Sequence, residues 1–193
     1  QLGVDGIATA MLLLTGVIVA AGWGALIGFL LTVSPDAQLR GMLFWLMGDL
    51  GGAQAYGLGI MTLVVGLALC LPLARNLNVM ARSELTAQAL GVPVARLRWQ
   101  LYALASLLTA VAVMTAGSIG FIGLVAPHVL RLAVGNDHRI LLPGAALFGG
   151  SLLLLADTVA RSALAPQQLP VGVVTALLGV PLFLYLLARA ERR

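Results

Sequence analysis

The chain has 193 residues, 61% of them hydrophobic and only 9% charged, against about 25% charged in an ordinary soluble domain. Its mean hydropathy is +1.04; a water-soluble body of this size could not hide so much apolar surface, so the composition requires an integral membrane protein. The formal charge of +4 comes from eleven arginines and no lysine. These sit at the ends of apolar runs, with no basic stripe and few aromatics among them, a pattern that signals membrane topology and argues against nucleic acid as a partner.

The chain opens on Gln1 without the basic stretch of a signal peptide, and the expectation is a processed or partial chain with something missing before residue 1. A first span is predicted over Ile7–Val33. Within it Gly16, Ala20, Gly24 and Gly28 recur at every fourth position, a stripe of small residues that either admits another helix closely or lines a wide translocation path. Between Ser34 and Ala55, DAQLRGMLFWLMGDLGG predicts a short interfacial helix ended by its glycines, with Trp45 and Tyr56 as interface anchors.

A second, short span is predicted over Tyr56–Leu71, followed by a long loop from Pro72 to Gln100. In that loop RSELTAQALGVPVARLR carries its own punctuation. Ser83 is a good N-cap, and Glu84 suits the positive end of a helix dipole. Leu85 and Ala89 share a face, Gly91 can close the helix in a left-handed conformation, and Pro93 blocks its continuation. The result is a short amphipathic helix at the membrane surface, either a solvated connector or a docking surface for a partner. Trp99 and Tyr102 mark the interface before a third span at Leu101–Ile119.

Next comes GSIGFIGLVAPHVLR, apolar yet interrupted by glycines, Pro127, His128 and Arg131. Further spans are predicted at Leu142–Ala160 and Val171–Ala188. If the terminal Arg189, Arg192 and Arg193 are cytoplasmic, then Arg75, Arg82, Arg96, Arg98, Arg131 and Arg139 fall inside as well, and Arg40 and Arg161 outside. This parity requires residues 120–134 to cross back as a short or broken helix, which is tolerated only where protein or a water-filled cavity covers the freed backbone. The fold class is therefore all-α, a polytopic helical membrane protein of about six spans or broken helices.

Several chemistries lack their residues. Histidine occurs only at 128 and 138 with no HExxH, and no cluster of metal ligands is evident; Cys70 stands alone in an apolar run. Gly117-Ser118-Ile119-Gly120 is not the GxSG of an intramembrane serine protease, and Leu46 breaks a GxGD around Asp49. A P-loop needs a lysine at the phosphates, so this chain does not hydrolyse ATP in that way. Ionisable groups in spans are functional candidates by default: Asp157 and Arg161 are spaced to pair along one helix, and His128 and Arg131 share a face of a short one. The scarcity of His, Cys and carboxylate in the spans fits a cargo that brings its own ligands better than a bare metal ion.

From Ala116 to Arg131 the sequence resembles the pattern AGxIGFxGLxxPHxxR of the permease family of ABC importers for iron-siderophores, haem and vitamin B12. The resemblance extends through DHRILLPGAALFGG, LLLADTVAR, LPVGVVTALLG and PLFLYLL downstream, and through LLLTGV, FWLMGDLGG and AQALGVP upstream. It implies a single transmembrane permease domain over 1–193, similar to the C-terminal part of a ten-helix permease, within a bacterial inner membrane. The implied partners are a second copy, a cytoplasmic ATP-binding subunit that uses ATP and magnesium, a periplasmic binding protein, and a metal-chelate or corrinoid substrate; no cofactor is implied for this chain itself. Segment 79–98 would dock the ATPase through Ser83, Glu84, Leu85, Ala89, Leu90 and Gly91. Gly16, Ala20 and Gly24 would shape the path, and Arg161 and Arg40 would meet the binding protein. Gly120, Gly123, Pro127, His128, Arg131 and Asp157 carry the family pattern. Ser118, Gln168 and the Met80-Ala81 pair depart from it. Rival expectations are a passive channel, which needs no docking partner, and an intramembrane hydrolase built on Ser118 or Asp49.

Overall fold

The computed structural model describes residues 4–51, 56–164 and 166–190, and every described element is helical. The helices are α1 (Val4–Val33), α2 (Asp36–Leu46), α3 (Tyr56–Met80), α4 (Glu84–Ala89), α5 (Val94–Ala116), α6 (Ile122–Val134), α7 (His138–Ser162) and α8 (Val171–Ala190). Among the described residues, stretches of α1, α3, α5 and α7 are long and apolar enough to cross a membrane, while α6 and α8 contribute shorter apolar helices. The all-α polytopic expectation holds.

Two compact units divide the chain, one ending at Leu43 and one beginning at Phe44. In the first, α1 is a 30-residue helix whose Gly16, Gly24 and Gly28 have nothing within 4 Å of where a Cβ would stand. In the second, α7 is the central element and touches α3, α6 and α8, while α3 also packs on α5. Gly66 sets the closeness of the α3–α5 contact, because a Cβ there would meet Leu108 Cδ2 at 2.8 Å. A core of Ala156, Ala160, Val171 and Val174 joins α7 to α8, with Leu50, Ile119, Leu153 and Leu169 packed against it. Leu147, Leu154, Leu155, Leu177 and Leu178 remain 63–75% exposed, an apolar exterior that only lipid or further protein can cover.

The helix limits differ from the sequence-based ones in an instructive way. The loop expected over 72–100 is mostly helix: α3 runs through Pro72 to Met80, and α5 begins at Val94 with Pro93 as its cap. Apolarity marks only the lipid-buried part of a helix, so the polar turns beyond the membrane escaped the count. Proline at the start of a helix is also compatible with helix formation because its missing N–H is an orphan there anyway.

The opening interruption of GSIGFIGLVAPHVLR is a true break. α5 stops at Ala116, Gly117 has φ 71 and ψ −164, and α6 starts only at Ile122. That backbone region is essentially reserved for glycine. A Cβ on Gly117 would also collide with the Trp45 carbonyl oxygen, one on Gly172 with the Met47 carbonyl, and one on Gly48 would lie 2.9 Å from the Ser118 carbonyl. Three glycines from three parts of the chain thus let bare backbone meet bare backbone. The meeting satisfies polar groups: the Asp49 N–H donates to the Ala116 carbonyl at 3.0 Å, and the Gly48 N–H to the Trp45 carbonyl at 3.1 Å. Phe121, at φ 67, is a non-glycine residue in the left-handed region and packs its Cβ against Gly179.

Gly117→Ala is expected to lower the stability of the detergent-solubilised protein by about 3 kcal/mol or more, through strain and backbone collision together. Gly144→Ala, whose added carbon would sit 3.5 Å from Leu130 Cδ1 in ordinary contact, should change it by less than about 1 kcal/mol. Thermal melting of the two variants beside the parent checks the contrast.

Candidate functional site

The residues between α3 and α5 form a small, well-braced projection. Ser83 has extended backbone (φ −165, ψ 129), and its hydroxyl accepts from the Thr86 N–H at 3.3 Å, as an N-cap should. Glu84 opens α4 and pairs with Arg98 of α5 at 3.0 Å, both side chains 48% exposed. Ala87 is fully buried on the inner side of α4, and Ala74, Val94 and Leu97 are buried on the neighbouring helices. The Leu90 N–H donates to the Thr86 carbonyl and the Val92 N–H to the Ala87 carbonyl, while Gly91 turns the chain at φ +78. Every feature foreseen for this segment from its sequence is present: cap, first-turn acid, left-handed glycine and proline stop.

What the bracing leaves outward is apolar. Leu85 is 78% exposed and Leu90 68% exposed, and Ala89 is exposed beside them. A six-residue helix that buries one alanine and, with its C-cap residue, presents two leucines has its hydrophobic face unpartnered. The exposed pair Glu84–Arg98 stabilises little by itself, but it ties α4 to the start of a long helix, so the projection and α5 move together.

A second tie lies at the same end of the unit. Asn78, in the last turns of α3, donates through Nδ2 to Asp137 Oδ1 at 2.7 Å. Its Oδ1 accepts from the His138 backbone N–H at 2.9 Å and lies 2.7 Å from His138 Nδ1. Asp137 meanwhile caps α7 by accepting from the Arg139 N–H at 3.0 Å. One amide therefore clips α3 to the N-terminus of α7. The Arg139 backbone N–H, and after it the Asn78 amide, hold the Asp137 carboxyl below the usual carboxylate range. Sequence reasoning missed Asn78 because its partners are 59 and 60 residues away and no local pattern announces them.

The remaining candidates are distributed. Asp157 and Arg161 pair as their spacing foretold, Arg161 Nε to Asp157 Oδ2 at 2.8 Å, near the end of α7, within electrostatic range of Asp49 and Tyr56. Arg40 lies on α2 in the first unit, as Gly16, Ala20 and Gly24 lie on α1. Gly120 belongs to the break between α5 and α6; Gly123, Pro127, His128 and Arg131 all fall on α6. Pro127 cannot donate to the Gly123 carbonyl one turn before it. His128 is half-buried and Arg131 exposed. The glycines that matter most sterically, Gly48, Gly117 and Gly172, were visible only as letters within FWLMGDLGG, GSIG and LPVG.

Helices of spanning length, a break sealed by backbone contacts and a capped projection at the opposite end of α5 describe a polytopic membrane domain. The chain belongs to the FecCD transport family, which matches residues 3–189. It is 48% identical over 187 residues to the cobalamin import system permease protein BtuC of Halobacterium salinarum, covering 96% of this chain and 50% of that one. It is 46% identical to the hemin transport system permease protein HmuU of Yersinia pestis (95% and 56% covered) and 44% identical to the vitamin B12 import system permease protein BtuC of Escherichia coli (96% and 57%). Its fold superposes with a TM-score of 0.83 and 37% identity on a metal-chelate type ABC transporter in an inward-facing conformation, covering 93% of this chain and 59% of that one. The chain spans about half the length of the curated relatives it matches.

The clip carries a pH prediction. A carboxyl whose folded value is depressed contributes stability above its unfolded value, about pH 4, and loses it as pH falls through the folded one. Asp137→Asn retains a capping side chain but does not titrate. The stability difference between parent and variant should change mainly below about pH 4, with a smaller change across the titration of His138, on which the Asp137 charge acts, read by melting temperature across a pH series.

Proposed function

We propose that this chain is the C-terminal part of the permease subunit of an ATP-driven ABC importer that carries an iron chelate, haem or a corrinoid across a bacterial inner membrane. The substrate classes follow the names of its relatives, which concern cobalamin, vitamin B12 and hemin, and the poverty of metal ligands suits a cargo already chelated: among the described residues no group of three or more His, Cys, Asp or Glu comes together. The permease works as a homodimer. ATP and magnesium are used by a separate cytoplasmic subunit, and a periplasmic protein delivers the cargo to the outer face, where Arg161 and Arg40 offer positive charge.

The observation that carries this reading is the outward apolar face of α4. Leu85, Ala89 and Leu90, on a helix capped by Ser83 and closed by Gly91, fit a cleft on the ATPase subunit. The mechanism follows from the bracing. When ATP draws two ATPase subunits together, a displacement of α4 passes to α5 through the Glu84–Arg98 pair, to α3 through the packing of α4 on it, and from α3 to α7 through the Asn78 clip. The helices respond as stiff rods, so the movement arrives at the opposite end, about 34 Å away along the 23 residues of α5 at about 1.5 Å per residue. There it alternates access to the translocation path, for which Gly16, Ala20 and Gly24 of the first unit are the proposed lining residues.

The test uses the full-length permease with its cognate ATPase subunit. Leu85→Asp places a charge in the middle of the docking face and should weaken ATPase association at least about tenfold, with loss of uptake and unchanged melting temperature. Uptake of labelled haem, ferric siderophore and cobalamin by the parent complex then separates the substrates. A Leu85→Asp complex that forms and transports normally would remove α4 from the docking role.

A further inference from the structure

Beside the Asn78 clip, and separate from the face of α4, the second unit has an open polar cavity of about 530 Å³. Its wall is made by Asn78 in the last turn of α3, Arg82 just after that helix, Arg131 in the last turn of α6, and Asn136, Asp137 and His138 at the entry to α7. The two guanidinium groups come from segments 49 residues apart (131 minus 82), and the fold alone brings them to one hollow.

The charges there do not cancel. Asp137 is engaged by the Arg139 N–H and by Asn78 Nδ2, and the ion pairs among the described residues join Arg98 to Glu84 and Arg161 to Asp157, not Arg82 or Arg131 to any carboxylate. Two arginines that line one open cavity, neither in an ion pair among the described residues, are matched to an oxyanion, and phosphate accepts guanidinium forks bidentately. The cavity's surroundings narrow the source. Leu132 and Val134 beside Arg131 are 65% and 46% exposed, and Ile140 beside Arg139 is 54% exposed. Exposed apolar side chains thus stand within three residues of the lining Arg131 on α6 and His138 on α7. A free ion makes no use of that surface; a lipid does, with its headgroup in the cavity and its chains along the leucine and isoleucine. Basic hollows between helices at the cytoplasmic boundary are suited to anionic headgroups, where the leaflet itself is negative.

We propose that this cavity is a binding site for the phosphate headgroup of an anionic phospholipid, held by Arg82 and Arg131. The placement in the cytoplasmic leaflet rests on the membrane orientation given under the proposed function; the binding itself does not depend on what is transported. A lipid seated there would lean on the joint between α3, α6 and α7, the same joint that the Asn78 clip closes, so occupancy is expected to stiffen the α3–α7 tie.

The experiment uses the full-length permease without its ATPase, so that failure here says nothing about transport and failure of ATPase docking says nothing about lipid. The protein is reconstituted in nanodiscs of phosphatidylcholine with or without phosphatidylglycerol, released into mild detergent, and its retained lipid counted by native mass spectrometry. The parent should retain phosphatidylglycerol, and the double variant Arg82→Gln, Arg131→Gln should retain at least about tenfold less. Arg96→Gln, an exposed arginine outside the cavity, should match the parent. Arg82→Lys with Arg131→Lys, which keeps the charge but loses the fork, should fall between, and guards against a variant that misfolds. Equal retention by parent and double variant, or an equal loss in Arg96→Gln, overturns the site. Stabilisation by millimolar inorganic phosphate in phosphatidylcholine discs, with no selective lipid retention, would assign the cavity to free phosphate and overturn the lipid. Protection of Arg82 and Arg131 from phenylglyoxal only when the ATPase subunit is added would assign it to an acidic protein segment, with the same consequence.

Discussion

Hydrocarbon offers no hydrogen bonds to a peptide group, and every departure from helix within a bilayer must be covered by protein. That constraint shapes this chain most visibly where α5 ends. Ala116 leaves a carbonyl, Gly117 turns into a conformation that side chains do not tolerate, and the next helix starts five residues later, at Ile122. The Asp49 N–H caps that carbonyl from the turn after α2. The cap is possible only because Gly48, Gly117 and Gly172 lack the atoms that would hold the three backbones apart. Without that clearance the Ala116 carbonyl would lose this donor and the three backbones could not meet.

At the other end of the same unit the ties are of another kind. There the structure is held by side chains: a serine cap, an arginine–glutamate pair, and an asparagine that serves as donor and acceptor at once. Such ties are individually modest, yet they connect elements that are themselves rigid. The contrast between a sealed, backbone-packed end and a polar, side-chain-tied end suits the proposed role, in which α4 is displaced and the opposite end responds. It also explains why α4 can present leucines to its surroundings: its inner side is already secured by Ala87.

Local signals carried far into this fold. RSELTAQALGVP announced a capped helix, a left-handed glycine and a stop, and all three are present with the residues assigned to them. Asp157 and Arg161 announced their pair by spacing alone. The break at 117–121 was legible as a conflict between apolarity and breakers, although the predicted span ran on to Ile119 where α5 stops at Ala116. Illegible were the relations that span the chain: Asn78 with Asp137 and His138, and the glycine meeting of 48, 117 and 172. Each residue of these sets is locally unremarkable, and only the packing of helices assigns it a partner. Helix length was misjudged for a related reason, since hydropathy reports the lipid-facing turns and ignores the polar turns of α3 and α5 beyond them.

The account stands on the sidedness of α4, the end from which the membrane helices would be driven. A membrane-impermeant maleimide applied to Leu90→Cys, in a background where Cys70 is replaced by serine, reads that sidedness directly. Labelling in inverted inner-membrane vesicles, blocked by prior addition of the ATPase subunit, with none in intact spheroplasts, is the predicted result. Labelling from the outside of spheroplasts, or from neither side, would contradict it.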